Sequence, residues 1–174
     1  MILAALFDLG ADVERVTELI KSSGLHGFEI DFERRQDENG ITCGYCTVHV
    51  DAHHGHGSGD SHVHGHAGSE LHGPTSSRPH HHHRGLCEIE EMIKASSAPP
   101  RARDRAMAVF RRLGEAEAAV HGVPIGEVHF HEVGAVDSIV DVFGACIAME
   151  LLGAEHIYCS GFKVGSGIID CAHG

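Results

Sequence analysis

Residues 136–152, VDSIVDVFGACIAMELL, carry apolar side chains around nearly the whole circumference of a helix. Val136, Ile139, Val140, Val142, Phe143, Cys146, Ile147, Ala148, Leu151 and Leu152 leave little room for a polar face. A helix that is apolar all round is a buried helix, so the rest of the chain must pack about it. Asp137 and Asp141 interrupt the pattern, four residues apart and therefore on one face. Buried carboxylates are costly unless paired or metal-bound. A first-turn acid complements the helix dipole, which accounts in part for Asp137. Asp141 lies a turn further in, where that account weakens. The pair therefore points to a polar site at the start of this helix, with a salt bridge or cap as the alternative.

The segment just before the helix, EVHFHE at residues 127–132, strengthens that reading. His129 and His131 alternate with Val128 and Phe130. In an extended backbone both imidazoles take one face and both apolar side chains the other. Two imidazoles followed by the Glu132 carboxylate can build a divalent-metal site. Spacing leaves open whether the pocket holds a metal, or a phosphate and a substrate ring. His131 and Glu132 equally suit an acid/base pair.

The remaining pattern predicts an α/β fold, with α+β as the alternative: a sheet containing a hairpin, with flanking helices. Residues 1–9 read as a buried helix ending at Gly10, and Asp12 caps a second helix that ends at Gly24. Residues 27–34 alternate apolar and charged and pair with 41–50 through the turn Glu38-Asn39-Gly40. A short helix spans 86–95. A longer one starts at Pro99-Pro100 and runs to about His121, with Gly122 after it; its arginines 101, 103, 105, 111 and 112 lie largely on the outer face. Residues 155–164 and 167–172 read as two further strands.

Residues 51–84 differ in kind. They hold His, Gly, Ser and Pro with almost no apolar side chains, and cannot bury enough surface to offset the entropy of ordering. The expected organisation is one α/β domain formed by residues 1–50 and 85–174, with 51–84 as a disordered, metal-binding insert. Twelve histidines fall between His49 and His83. Imidazole suits Ni(II), Cu(II) and Zn(II), so His53, His54, His56, His62, His64, His66, His80, His81, His82 and His83 are candidate metal ligands. Their irregular spacing fits gathering metal rather than chemistry. Cys171 and His173 form a further soft ligand pair. Cys43 and Cys46 have CxxC spacing, but on a strand they face opposite sides and no second CxxC follows, so they read as strand residues.

Charge and hydropathy narrow the partners. With 13 Lys+Arg against 25 Asp+Glu, the formal net charge is -12, which argues against a nucleic-acid partner. No apolar run approaches the roughly 20 residues of a membrane span. MILAALFDL lacks the basic region and cleavage site of a signal peptide. The six cysteines suggest no disulfide framework, and the expected location is cytoplasmic.

The string VHFHEVGAVDSIVDVFGACIAMELLG, with AEAAVHGVPIGE before it and GSGIIDCAHG after it, resembles the LarC-type nickel insertion proteins. The resemblance extends over nearly the whole chain, including the place of the His-rich insert. It implies a nickel chelatase, or cyclometallase, of the lyase class that forms a carbon–nickel bond. Its small-molecule nucleotide substrate is pyridinium-3,5-bisthiocarboxylic acid mononucleotide. The product is the nickel-pincer nucleotide of lactate racemase-type enzymes, and the reaction depends on CTP, with Mn(II) or Mg(II). It also implies that His129, His131, Glu132 and Asp137, together with Asp141 and His173, surround the reaction pocket. A nickel or zinc metallochaperone or storage protein without chemistry of its own is the alternative. The family begins with a strand and a loop holding glycine and aspartate, ahead of the helix that here starts at Met1. It also has a C-terminal part associated with CTP and oligomeric assembly. The chain is therefore expected to be truncated at both ends. The C-terminal half of the same protein is then its expected partner, and homo-oligomers are a further expectation.

Overall fold

A computed structural model describes residues 1–51, 84–130 and 133–168. Helices α1 (Ile2–Asp8) and α2 (Val13–Lys21) lead into an antiparallel hairpin of β1 (Phe28–Gln36) and β2 (Thr42–Val50). Helices α3 (Leu86–Ala95) and α4 (Pro100–His121) follow. A short 3-10 turn at Ile125–Glu127 then leads to α5 (Val136–Leu151). The two-stranded sheet and five helices accord with the expected class.

Local chemistry sets the boundaries. Gly10 adopts φ +102°, open to glycine and strained for other residues, so α1 stops and the chain turns. Asp12 Oδ1 accepts a hydrogen bond from the Arg15 N–H at 3.0 Å, capping α2. Gly122 ends α4 in the left-handed conformation. In the hairpin turn Asp37 Oδ1 accepts from the N–H groups of Asn39 and Ile41, at 2.9 and 2.7 Å. These hydrogen bonds, with that from the Ile41 N–H foremost, hold the Asp37 carboxyl below its usual range.

The hairpin pairs Phe28 with Val50, Ile30 with Val48 and Phe32 with Cys46. These residues share the face turned toward the helices, while Asp31 and His49 meet on the opposite face at 3.4 Å. Gly44 lets α1 lie close on β2. A Cβ at Gly44 would stand 2.8 Å from the Phe32 ring and 3.0 Å from the Ala4 carbonyl oxygen. Phe7 of α1 meets Phe32 edge-on at 5.6 Å.

Helix α5 lies at the centre. Ile139, Val140, Phe143, Cys146, Ile147 and Ala148 are all buried. Gly144 admits Leu3 of α1 and Ile20 of α2, whose side chains would come within 3.4 and 3.2 Å of a Cβ there. Ala102, Ala106 and Phe110 of α4 are buried in the same core, as are Ile89 and Ile93 of α3. That core joins residues from both sides of the His-rich segment. Burial pushes the Cys146 thiol up to about 11, against the pull of the nearby Arg105. Glu90 ties α3 to α4 through Arg111, which with Lys94 holds the Glu90 carboxyl below its usual range. Of the arginines expected on the outer face of α4, Arg101, Arg111 and Arg112 are exposed, whereas Arg103 and Arg105 are half-buried.

Two expectations need correction. Residues 155–164 form no strand; Tyr158, Phe162 and Val164 are 89%, 86% and 89% exposed. Their composition favours extension, but a strand needs a paired edge, and no described strand lies beside them. Residues 167 and 168 are likewise irregular, and the rest of the second expected strand lies outside the described residues. The second correction concerns α5, which is not buried on every side. Asp137 and Asp141 are exposed. Leu3 and Ile20 pack over that face at Gly144, while at Asp137 and Asp141 it is exposed, although Ile139 and Val140 beside them are buried.

The central place of α5 predicts that Phe143→Ala lowers the unfolding free energy by about 3–5 kcal/mol. Val120→Ala, at an exposed position, should change it by less than about 0.5 kcal/mol. Urea denaturation of both variants checks this, and similar losses from the two would contradict it.

Candidate functional site

Val128 and Phe130 are buried and His129 is exposed. The alternation of the EVHFHE segment thus holds across residues 128–130. Phe130 packs against Phe110 of α4 with ring centroids 6.4 Å apart. His129 pairs with Gly85 in an isolated antiparallel bridge. His131, Glu132 and His173 lie outside the described residues, as do the candidate ligands from His53 to His83.

The two aspartates of α5 come together elsewhere, in a cavity of about 260 Å³ lined by Met1, Leu3, Cys46, Val48, Asp137 and Asp141 among others. His129 is not among its lining residues. The first turn of α5 follows Ala135, which makes no side-chain cap. Asp137 instead accepts a hydrogen bond from the Ser138 N–H at 2.8 Å. A larger, shallow hollow of about 480 Å³ lies along α4 beside Asp104, Arg111 and Glu115. It gathers none of the expected residues.

The cavity perturbs its titratable groups. Partial burial pushes the Asp141 carboxyl above its usual range; the N-terminal amino group pulls it back, and Asp137 pushes it further up. Burial, then the Asp141 charge, raises the Cys46 thiol, while the N-terminal amino group lowers it. Cys46 was the residue that reasoning from spacing did not place at a site. The signal was present in the alternation of β2, which turns Cys46 and Val48 inward opposite Phe32 and Ile30. As CxxC partners, Cys43 and Cys46 do face opposite ways, because three steps along a strand reverse the side.

Chemically the cavity offers two carboxyl groups and a thiol. Among the described residues no group of three His, Cys, Asp or Glu side chains is placed to hold a metal ion.

The Asp141 shift carries a sign. A carboxyl that titrates higher in the folded chain than its usual 3.8 binds protons on folding. The stability linked to it is full below that value and is lost as pH rises through the folded one. Asp141→Asn should therefore flatten the decline of stability with rising pH. At pH 7 it should stabilise the fold by up to about 0.5 kcal/mol, because solvent screens an exposed group. Denaturation midpoints from pH 4 to 7 test this; a variant less stable than the parent at pH 7 would contradict it.

Comparison with known proteins adds the identity of the family. The family model described as "Nickel insertion protein" matches residues 1–174. A Staphylococcus epidermidis (strain ATCC 12228) protein named pyridinium-3,5-bisthiocarboxylic acid mononucleotide nickel insertion protein is 37% identical over 174 residues. That match covers 100% of this chain and 37% of the relative. A Staphylococcus saprophyticus protein of the same name is 36% identical, with the same coverage. A Citrifermentans bemidjiense relative is 54% identical over 99 residues, 57% of this chain and 25% of that protein. The chain thus spans well under half the length of these relatives. No solved structure matches it. No described helix is long and apolar enough to cross a membrane. With the whole of its length matched, the chain belongs to the nickel insertion protein family.

Proposed function

We propose that this chain takes part in inserting nickel into pyridinium-3,5-bisthiocarboxylic acid mononucleotide, a CTP-dependent cyclometallation that yields the nickel-pincer nucleotide of lactate racemase-type enzymes. The observation that carries this reading is the likeness, over the whole of this chain and 37% of each relative, to the Staphylococcus proteins named for that substrate. On this reading the activity is that of a nickel chelatase of the lyase class, in the cytoplasm. It also needs polypeptide corresponding to the rest of those relatives, with homo-oligomers as a further assembly.

Nickel and the nucleotide are both substrates here. The histidines from His53 to His83 raise the local nickel concentration, acting as a tethered reservoir. Thiocarboxylate sulfurs, being soft, draw the metal from imidazole nitrogen. As the carbon–nickel bond forms, the ring C–H bond breaks and its proton passes to a base. By resemblance His129, His131, Glu132, Asp137 and Asp141 are assigned to the reaction, with His173 as a further ligand; of these, Asp137 and Asp141 share the described cavity, and His129 is not among its lining residues. A connection of a few residues joins His129 to α5. CTP and Mn(II) or Mg(II) belong to the reading by resemblance. Asp137 and Asp141 alone are too few for a divalent-metal site, and the described residues do not fit one.

The histidine-rich composition of residues 51–84 supports a second reading, a metallochaperone or storage protein without chemistry of its own. Cofactor formation by the full-length protein separates the two. At saturating nickel, His129→Ala with His131→Ala should lower the rate by about 100-fold or more if these groups serve the reaction. Deleting residues 53–83 should slow formation at limiting nickel and spare it at saturating nickel. An unchanged rate in the double variant would favour the storage reading. Complete loss on deletion at saturating nickel would overturn the division of labour.

A further inference from the structure

Residues 155–168, EHIYCSGFKVGSGI, have the composition of a strand, yet no described strand lies beside them. Every residue in the run is exposed. Ile157 is 61% exposed and Ile168 97%, and Tyr158, Phe162 and Val164 are as open. A single exposed apolar side chain is ordinary on a protein surface. A close series of large ones is not, and such patches mark interaction sites.

The backbone of the run is equally unpartnered. The last backbone hydrogen bond before it joins the Ala154 N–H to the Met149 carbonyl at 3.1 Å, in the turn that ends α5. From 155 to 168 no backbone N–H or carbonyl bonds to the backbone of another described residue. The Cys159 thiol donates to the Ser160 carbonyl at 3.1 Å, a contact within the run itself. The rings of His156 and Tyr158 stand 6.2 Å apart, as side chains two residues apart in a strand do. With period 2, Tyr158, Phe162 and Val164 share one face, and Ile157, Cys159 and Lys163 take the other. A solvated linker is rich in Gly, Ser and charge, whereas Ile, Tyr, Phe and Val are the types that favour strands.

The hairpin of β1 and β2 leaves both of its outer edges unpaired, and the run lies along neither. Length points to a different partner. The chain matches only 37% of each Staphylococcus relative. Well over half of each relative therefore lies outside the match, enough to form a sheet of its own. Pairing within one polypeptide also has the effective concentration of a tether, which a second copy lacks.

We propose that residues 156–164 add as a strand to an unpaired sheet edge in the part of the full-length protein that corresponds to the remaining length of those relatives. Main-chain hydrogen bonds hold the strand, and the face of Tyr158, Phe162 and Val164 packs on apolar surface there. The proposal rests on the reading that this chain works together with that polypeptide.

The test is amide hydrogen exchange, read by mass spectrometry without nickel or nucleotide, on the 174-residue chain and on the full-length protein. Amides 156–164 should exchange at least about 100-fold more slowly in the full-length protein. Cys159, a free and exposed thiol in this chain, should alkylate at least about tenfold more slowly there. Ser160→Pro in the full-length protein should speed exchange across 156–164 at least about tenfold, since proline removes a ladder donor. The amides of α5 should stay as protected as in the parent. Equal exchange in the two parent proteins overturns the proposal, and so does unchanged protection in Ser160→Pro. Protection already present in the 174-residue chain overturns it too: if it depends on concentration the partner is a second copy, and if not, a segment of this chain. Because no substrate is present, a failure of nickel insertion leaves these readings untouched.

Discussion

The burial of one helix governs this structure. Phe143, Val140 and Ile147 of α5 are fully enclosed, and each such side chain contributes roughly 1.5–3 kcal/mol on removal from water. No single element covers them. Helices α1 and α2 close one side through Leu3 and Ile20 at Gly144, and α4 shares the same core through Ala102, Ala106 and Phe110. The hairpin is then secured by α1, which Gly44 admits to β2. Segments before and after the histidine-rich stretch therefore meet because both must cover α5.

The same packing makes the acidic cavity. The face of α5 that bears Asp137 and Asp141 continues to Gly144 and Ala148, one heptad along. At Gly144 and Ala148 it is buried. At the aspartates it opens beside Cys46 and Val48 of β2. A helix can thus be apolar over most of its length and still present two carboxylates where one face of its first turns borders a cavity. The carboxylates stay near enough to apolar surface to feel burial, which is why Asp141 is pushed upward although it is exposed.

Much of this was legible in the residues. Short-range chemistry marked the helix ends: Asp12 as a cap, the left-handed Gly10 and Gly122, and Pro100 at the first turn of α4. Alternation marked the hairpin and the inward Val128 and Phe130. Long-range facts were not legible. Nothing local in EHIYCSGFKV tells that no described strand lies beside its strand-like residues. Counting apolar positions around α5 could not show how far the two aspartates would emerge, because that depends on where Met1, Leu3 and β2 lie against them. Cys46 was passed over for the same reason: its neighbour in the cavity is Asp141, nearly a hundred residues away in sequence.

These long-range effects bear on how labour is shared within the proposed reaction. Burial and then Asp137 raise the Asp141 carboxyl. A base is most effective when its affinity for protons approaches the working pH, so on the proposed reading that rise suits Asp141 to accepting a proton. Asp137 accepts a hydrogen bond from the Ser138 N–H. His129 is exposed and is not among the residues that line the cavity. In a metal-for-proton exchange at carbon, the metal ligand and the proton acceptor are separate groups that must both reach the same carbon. If one group both held the metal and took the proton, the metal would compete with the proton for the same lone pair.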